Sequence, residues 1–306
     1  MNIKITPKVL LLAGLVSTVP MKILKKQPVQ YADCIVDTVS FAKKPAKNIL
    51  VADNFKTSLI DINGDFLSDV SHGFVTSTII EQGLPNAKVV KCNIFPSSSI
   101  DKCFVVQSLD KLFSSVLKNM DEGKNFDAIN LSIGFAVKYQ DLSKEVGNKL
   151  NSENIASYAK KVKEVLQNKN EQFKIKSLPI KAIMGVIDKM DKISARGTKI
   201  YIAAGNSSDA TLNLLALADD VEIVGAVSKK GKFVVYSDRN TLVKRFENGD
   251  VCSKVVDGGF DITDDGKLDV KKEETTALFN IVTPFAKLDG TSFATPRALV
   301  KDYSYE

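Results

Sequence analysis

Five short runs rich in β-branched and other apolar residues recur along the chain, each separated from the next by a stretch long enough for a helix. They are Lys47 to Ala52 (KNILVA), Ala87 to Phe95 (AKVVKCNIF), Phe126 to Ile133 (FDAINLSI), Thr198 to Ala204 (TKIYIAA) and Val221 to Val227 (VEIVGAV). Near-continuous apolar runs of this length fit strands covered on both faces, which is the habit of parallel sheets with helices above and below. Helical candidates fall at His72 to Gln82, Leu109 to Met120, Glu153 to Lys169 and Asp209 to Leu217. The expectation is one α/β domain with a doubly wound, mostly parallel sheet.

Composition narrows the function classes. At 44% hydrophobic and 25% charged over 306 residues the chain is an ordinary globular one, and its formal charge of +6 is small for that length. The lysines alternate with acidic and apolar residues, without the dense basic block and interleaved aromatics of a nucleic-acid surface, so no nucleic-acid partner is expected. The chain has one histidine, His72. Zinc sites built on two or three imidazoles are thereby excluded, as is a relay of several histidines. The cysteines, Cys34, Cys92, Cys103 and Cys252, show no C-x-x-C pairing. Their even number allows disulfides in an exported protein, with Cys92 and Cys103 able to close a short loop, or four thiols otherwise.

Lys4 and Lys8 precede the apolar run Val9 to Val16, the order of charged and apolar regions in a secretory signal. That run is too short for a stable membrane span. Residues 1–32 therefore read as a leader and 46–306 as the folded domain, with secreted or periplasmic location expected and a cytoplasmic one as the alternative.

In doubly wound folds ligands bind beyond the carboxyl ends of the strands. Asp53 ends the first run, Asn130 lies within the third and Asn206 follows the fourth. Each type is also common in strand-end turns and helix caps. His72, in Ser71-His72-Gly73, opens an apolar-periodic stretch and so sits at a helix start on the same edge. Near the far end, Gly290-Thr291-Ser292-Phe293-Ala294-Thr295-Pro296 delivers a serine from a glycine turn into a helix whose first turn tolerates proline. A serine hydroxyl needs a base within hydrogen-bond reach, the base needs an orienting carboxylate, and a developing oxyanion needs fixed donors. Asp53, His72, Ser292 and Asn206 supply those four parts.

These motifs resemble the subtilisin-like serine proteases, the subtilases. The resemblance rests on Gly290-Thr291-Ser292-x-Ala294-Thr295-Pro296, with Ser71-His72-Gly73, Asn130-Leu131-Ser132-Ile133-Gly134 and Ala203-Ala204-Gly205-Asn206 in the family's order. It implies a subtilisin-like fold and a serine endopeptidase working through an acyl-enzyme, with Ser292 as nucleophile, His72 as base and then acid, Asp53 as orienting carboxylate and Asn206 as oxyanion amide. It also implies that Ser132, Ile133 and Gly134 pair with an extended peptide, while Ala203, Ala204 and Gly205 wall the pocket for the residue before the scissile bond. Peptides or proteins would be the partners, with no cofactor required.

Departures from the family are local. Asp53 is followed by Asn54-Phe55 where the family has Ser or Thr and then Gly, and Asp61, Asp65 and Asp69 compete with it by nearness to His72. Val75 replaces the family's second histidine. The chain after Ser292 is short, so either packing is supplied differently or this is a minimal or truncated variant, and the stretch before Asp53 leaves no room for the family's usual folded propeptide. Insertions are expected at about 135–196, read as a solvated helical pair, and at about 231–282. Asp61, Asn63 and Asp65, and Asp261 with Asp265, are candidate calcium ligands, although Lys272 stands where a bidentate glutamate would belong. The alternative function is a catalytically silent subtilase fold serving as a binding or structural protein.

Overall fold

The structure, a computed structural model, describes residues 46–55, 58–60, 70–95, 102–252, 254–257, 259–263, 265–271 and 287–304. The leader segment, Cys34, Asp61, Asn63, Asp65 and Asp69 lie outside the described residues.

All five apolar runs become strands: β1 (Asn48–Asp53), β2 (Lys88–Asn93), β3 (Ala128–Leu131), β4 (Lys199–Ala203) and β5 (Glu222–Val227). A sixth, β6 (Arg245–Asn248), completes a sheet of order β6-β5-β4-β3-β1-β2 in which every pairing is parallel. Among the described residues the α-helices are α1 (His72–Gly83), α2 (Lys102–Asp121), α3 (Tyr139–Val146), α4 (Ile155–Gln167), α5 (Ile180–Ser194) and α6 (Thr291–Tyr303). Strand periodicity divides the core in two. Ile49 and Val51 of β1, Ala128 of β3 and Tyr201 of β4 face α1 and α6. Leu50, Ala52, Ile129, Leu131, Ile200 and Ile202 face the other way, onto α2 and α5.

Two expectations change here. The stretch 135–196 is no solvated pair. It carries α3, α4 and α5, and α5 buries Ile180, Ile183, Met184, Val186, Ile187, Met190 and Ile193 in the larger core. Its apolar stripe is wide enough to be a layer of the fold. The candidate helix over Asp209 to Leu217 instead forms a strand, Thr211–Asn213, antiparallel to Ala136–Lys138, and then one 3₁₀ turn over Leu214–Leu217. Ladder pairing has overridden a helical pattern too short to hold alone.

The short C-terminal helix α6 is held by charge and by packing. Tyr201 and Arg245 donate to the Asp302 carboxylate at 2.7 and 2.6 Å, and Glu247 joins Arg245 to Lys301. Burial opposes ionisation of Asp302, but the donors from Tyr201 and Arg245 prevail and hold its pKa below the usual range. Tyr303 donates to the Asp127 carbonyl at 2.8 Å. Cys92, on β2, is disulfide-bonded; Cys103, in the first turn of α2, holds a thiol, so a Cys92–Cys103 loop is not closed. No helix among the described residues is long and apolar enough to cross a membrane.

Candidate active site

The carboxyl ends of β1, β3 and β4 and the starts of α1 and α6 meet at one edge of the sheet. Asp53 is the last residue of β1 and fully buried. His72 is the first residue of α1, and Ser71 caps that helix by accepting from the Phe74 N–H at 3.1 Å. The cap fixes where the helix begins, and so where the imidazole stands. His72 Nδ1 lies 2.6 Å from Asp53 Oδ1, while Asp53 Oδ2 accepts from Thr76 Oγ1 at 2.9 Å. An ionised carboxylate only accepts, so Nδ1 carries the proton and Nε2 of the neutral ring is left as an acceptor. The ring keeps 22% of its surface and leans on Phe293, ring centres 5.3 Å apart. Burial disfavours its charged form, but the charge and hydrogen bond of Asp53 outweigh that and raise its pKa above the ordinary histidine value.

Ser292 is the second residue of α6. Its hydroxyl donates to the Ser132 carbonyl at 3.1 Å, and among the described residues it makes no hydrogen bond to His72. In return Ser132 Oγ donates to the Ser292 carbonyl at 2.7 Å. Pro296 explains that second bond: it sits inside the helix four residues after Ser292 and has no N–H, so the Ser292 carbonyl is released from the helical ladder. The proline thus falls beyond the first turn, although the sequence pattern put it within that turn. Asn130 is buried behind Ser132 and donates to Ser132 Oγ at 3.0 Å, supporting the cleft from below.

Asn206 follows Gly205 after β4. Its Oδ1 accepts from the Thr291 N–H at 2.9 Å and from Thr291 Oγ1 at 3.0 Å. That fixes the amide orientation and leaves Nδ2 without a partner among the described residues. The Ser292 N–H, at a helix start, is likewise unbonded. A Cβ at Gly290 would stand 3.2 Å from Asn206 Nδ2 and 3.7 Å from Ser292 N, so two free donors converge on one hollow.

Beside them lies a cavity of about 260 Å³ lined by Ser132, Ile133, Gly134, Ala203, Gly205, Asn206 and Ser292, together with Ala136, Ser207, Thr211, Asn213 and Thr291. Ala204, paired with this group by sequence, is buried in the core behind it.

Two residues that belong to no sequence motif hold the cavity. Asn213 Nδ2 donates to the carbonyls of Ile133 at 3.2 Å and Ala203 at 2.8 Å, tying the two walls together. Asp238 is fully buried and accepts from the Ser207 N–H at 3.0 Å, Ser207 Oγ at 2.7 Å and the Asp209 N–H at 2.8 Å. Burial outweighs these bonds and raises the Asp238 pKa. Gly205 has φ +122, and a Cβ there would collide with Asp238 Oδ2, so only glycine fits the wall.

Asp261 accepts from the backbone N–H groups of Asp265 and Gly266, at 3.3 and 2.9 Å, in the manner of a polar turn. Among the described residues no three acidic, His or Cys side chains gather as a metal would need.

Residues 67–298 match the Subtilase family. Asp53 precedes the matched span, so its place in the site rests on the geometry above. No curated protein matches the chain significantly. Solved structures similar to it include the prenylagaramide maturation protease PagA (15% identity, 86% of this chain and 76% of that one, TM-score 0.48). They also include a cold adapted subtilisin-like serine proteinase (15%, 90% and 86%, 0.42) and the epidermin leader peptide processing serine protease EpiP from Staphylococcus aureus (14%, 88% and 68%, 0.48).

Proposed function

The chain belongs to the subtilase family, and from that premise we propose that it is a serine endopeptidase acting through Asp53, His72 and Ser292. The observation that carries the reading is the 2.6 Å bond from His72 to a buried carboxylate, on the same cleft edge as a helix-start serine and two unbonded donors. Peptide binds as an added strand along Ser132 to Gly134. The Ser292 hydroxyl turns from the Ser132 carbonyl toward His72 Nε2, gives up its proton there and attacks the scissile carbonyl carbon. Asn206 Nδ2 and the Ser292 N–H receive the oxyanion, and Asp53 holds the imidazolium. His72 then protonates the departing amine, and water, deprotonated by the same imidazole, releases the acyl group.

The test is Ser292→Ala with a fluorophosphonate probe. Wild-type chain is expected to hydrolyse peptides and to gain the probe's mass at Ser292, and the variant to do neither. A folded wild-type chain that takes no label and cleaves nothing would instead be a silent fold used for binding. Export belongs to the same reading, supported by the charged and apolar order of residues 1–32 and by the disulfide at Cys92. Intact mass of the protein recovered outside the cell checks it, with loss of the leader expected.

A further inference from the structure

The far side of the cleft cavity has a polarity that can be read from its hydrogen bonds. Asp238 accepts only, so the Ser207 hydroxyl must spend its proton on it, at 2.7 Å. The Ser207 oxygen in turn accepts from the Thr211 N–H at 3.0 Å and from Thr211 Oγ1 at 2.7 Å. The Thr211 hydroxyl proton is therefore committed inward as well. What Thr211 Oγ1 has left for the cavity is lone pairs.

Asn213 leaves no donor to offset this. Its Nδ2 protons go to the Ile133 and Ala203 carbonyls and its Oδ1 accepts from the Phe135 and Leu215 N–H groups. The charge behind the wall is uncompensated too. Asp238 Oδ2 lies directly under Gly205, where a Cβ would collide with it, and Asp238 has no salt-bridge partner among the described residues. The neighbouring Arg239 is paired with Asp209 at 3.5 Å, and those two charges offset one another. A pocket whose far wall offers acceptors and no spare donor, with its two free donors, Asn206 Nδ2 and the Ser292 N–H, at the oxyanion end and one buried anion behind a glycine wall, favours a cationic, donor-rich guest.

We propose that this cavity takes lysine or arginine as the residue immediately before the scissile bond, its N–H groups meeting Thr211 Oγ1 and its charge facing Asp238. The proposal rests on the peptidase reading above, whose own test is separate. Asp238 and Thr211 act here as specificity residues, remote from the bond being broken.

Matched coumarin-amide peptides ending in Lys, Leu or Glu measure it on the full chain, with fluorophosphonate labelling run in parallel. Wild-type kcat/KM is expected to fall in the order Lys, Leu, Glu, with Lys ahead of Leu by about tenfold or more. Within Asp238→Asn, an isosteric change that keeps the backbone acceptor, the Lys-to-Leu ratio is expected to drop about tenfold, and within Thr211→Val by a smaller factor in the same direction. A wild-type ratio at or below one overturns the proposal, as does a ratio that stays put in both variants. Should Asp238→Asn fail to fold, the wild-type ratio and Thr211→Val decide alone. Labelled protein that prefers Leu, or that leaves the Lys peptide uncut, defeats the specificity and spares the peptidase reading. Protein that is neither labelled nor active defeats both.

Discussion

The two halves of the cleft are held in opposite conditions. The acid–base half is closed: Asp53 is buried, both its oxygens are engaged, and His72 stands on a capped helix start with its proton directed at the carboxylate. The nucleophile half is turned aside, with the Ser292 hydroxyl on the Ser132 carbonyl. A buried ion–imidazole contact costs too much to leave unmade. A neutral hydroxyl trades one acceptor for another at little cost, because a hydrogen bond of that kind nets only about 1 kcal/mol. The resting site therefore fixes what is expensive to move and leaves mobile what a bound peptide can reset.

The largest break in this comparison comes from removing the carboxylate. Asp53→Asn keeps the shape but no longer holds the imidazole in the needed tautomer or supports its charge, and kcat is expected to fall about 10⁴-fold. Asn206→Ala, on the other half, removes one oxyanion donor and also the acceptor for Thr291. A loss of about 10²- to 10³-fold in kcat with KM nearly constant is expected from steady-state kinetics. A KM effect dominating either variant would place these residues in ground-state binding instead.

The closed half also sets the pH response. Since Asp53 raises the His72 pKa, activity, which needs the neutral ring, is expected to fall with decreasing pH through a point above the ordinary histidine range. The stability linked to this pair runs the other way: it is present in full below the unfolded pKa and is lost as pH rises through the raised folded one. His72 is the only histidine, so a tag-free chain gives a single imidazole titration by proton NMR. In Asp53→Asn burial acts alone, and that titration is expected to move to lower pH. A titration that stays in place would remove Asp53 as the cause.

Much of this cleft was legible in the sequence because its parts sit where local rules place them. Asp53 ends an apolar run, His72 follows a capping serine, and Ser292 follows a glycine at a helix start; strand, cap and helix signals each act within a few residues. Asp238 and Asn213 were not legible, because their roles arise from contacts 10 to 80 residues away along the chain and aspartate or asparagine in a loop has many ordinary explanations. Strand β6 was missed for a related reason. It is an edge strand, RFEN, whose polar residues pair with α6 through Glu247 and Arg245, and edge strands lack the continuous apolar signature of the central ones. Helix α5 was not among the helical candidates at all, and only its packing against α2 turns the expected surface pair into a layer of the fold.

The smallest expected effect probes the link between the two halves. Ser132 gives its carbonyl to the Ser292 hydroxyl and its own hydroxyl to the Ser292 carbonyl, which Pro296 leaves open. Ser132→Ala keeps the first bond and deletes the second. The Ser292 carbonyl then lacks a donor, and the Asn130 amide behind it loses its acceptor. A neutral bond worth about 0.5–1.5 kcal/mol translates to a kcat loss of roughly two- to thirteenfold, with KM for peptide expected to change little because the variant keeps the backbone of the proposed substrate-pairing segment. The same variant separates anchoring from hydroxyl rotation. If the bond to Ser132 Oγ merely anchors α6, thermal stability and kcat fall together; if it also aims the nucleophile, the fluorophosphonate labelling rate falls at temperatures where the chain is fully folded. The aimed nucleophile predicts the second outcome, since the bond ends on the residue whose hydroxyl must turn.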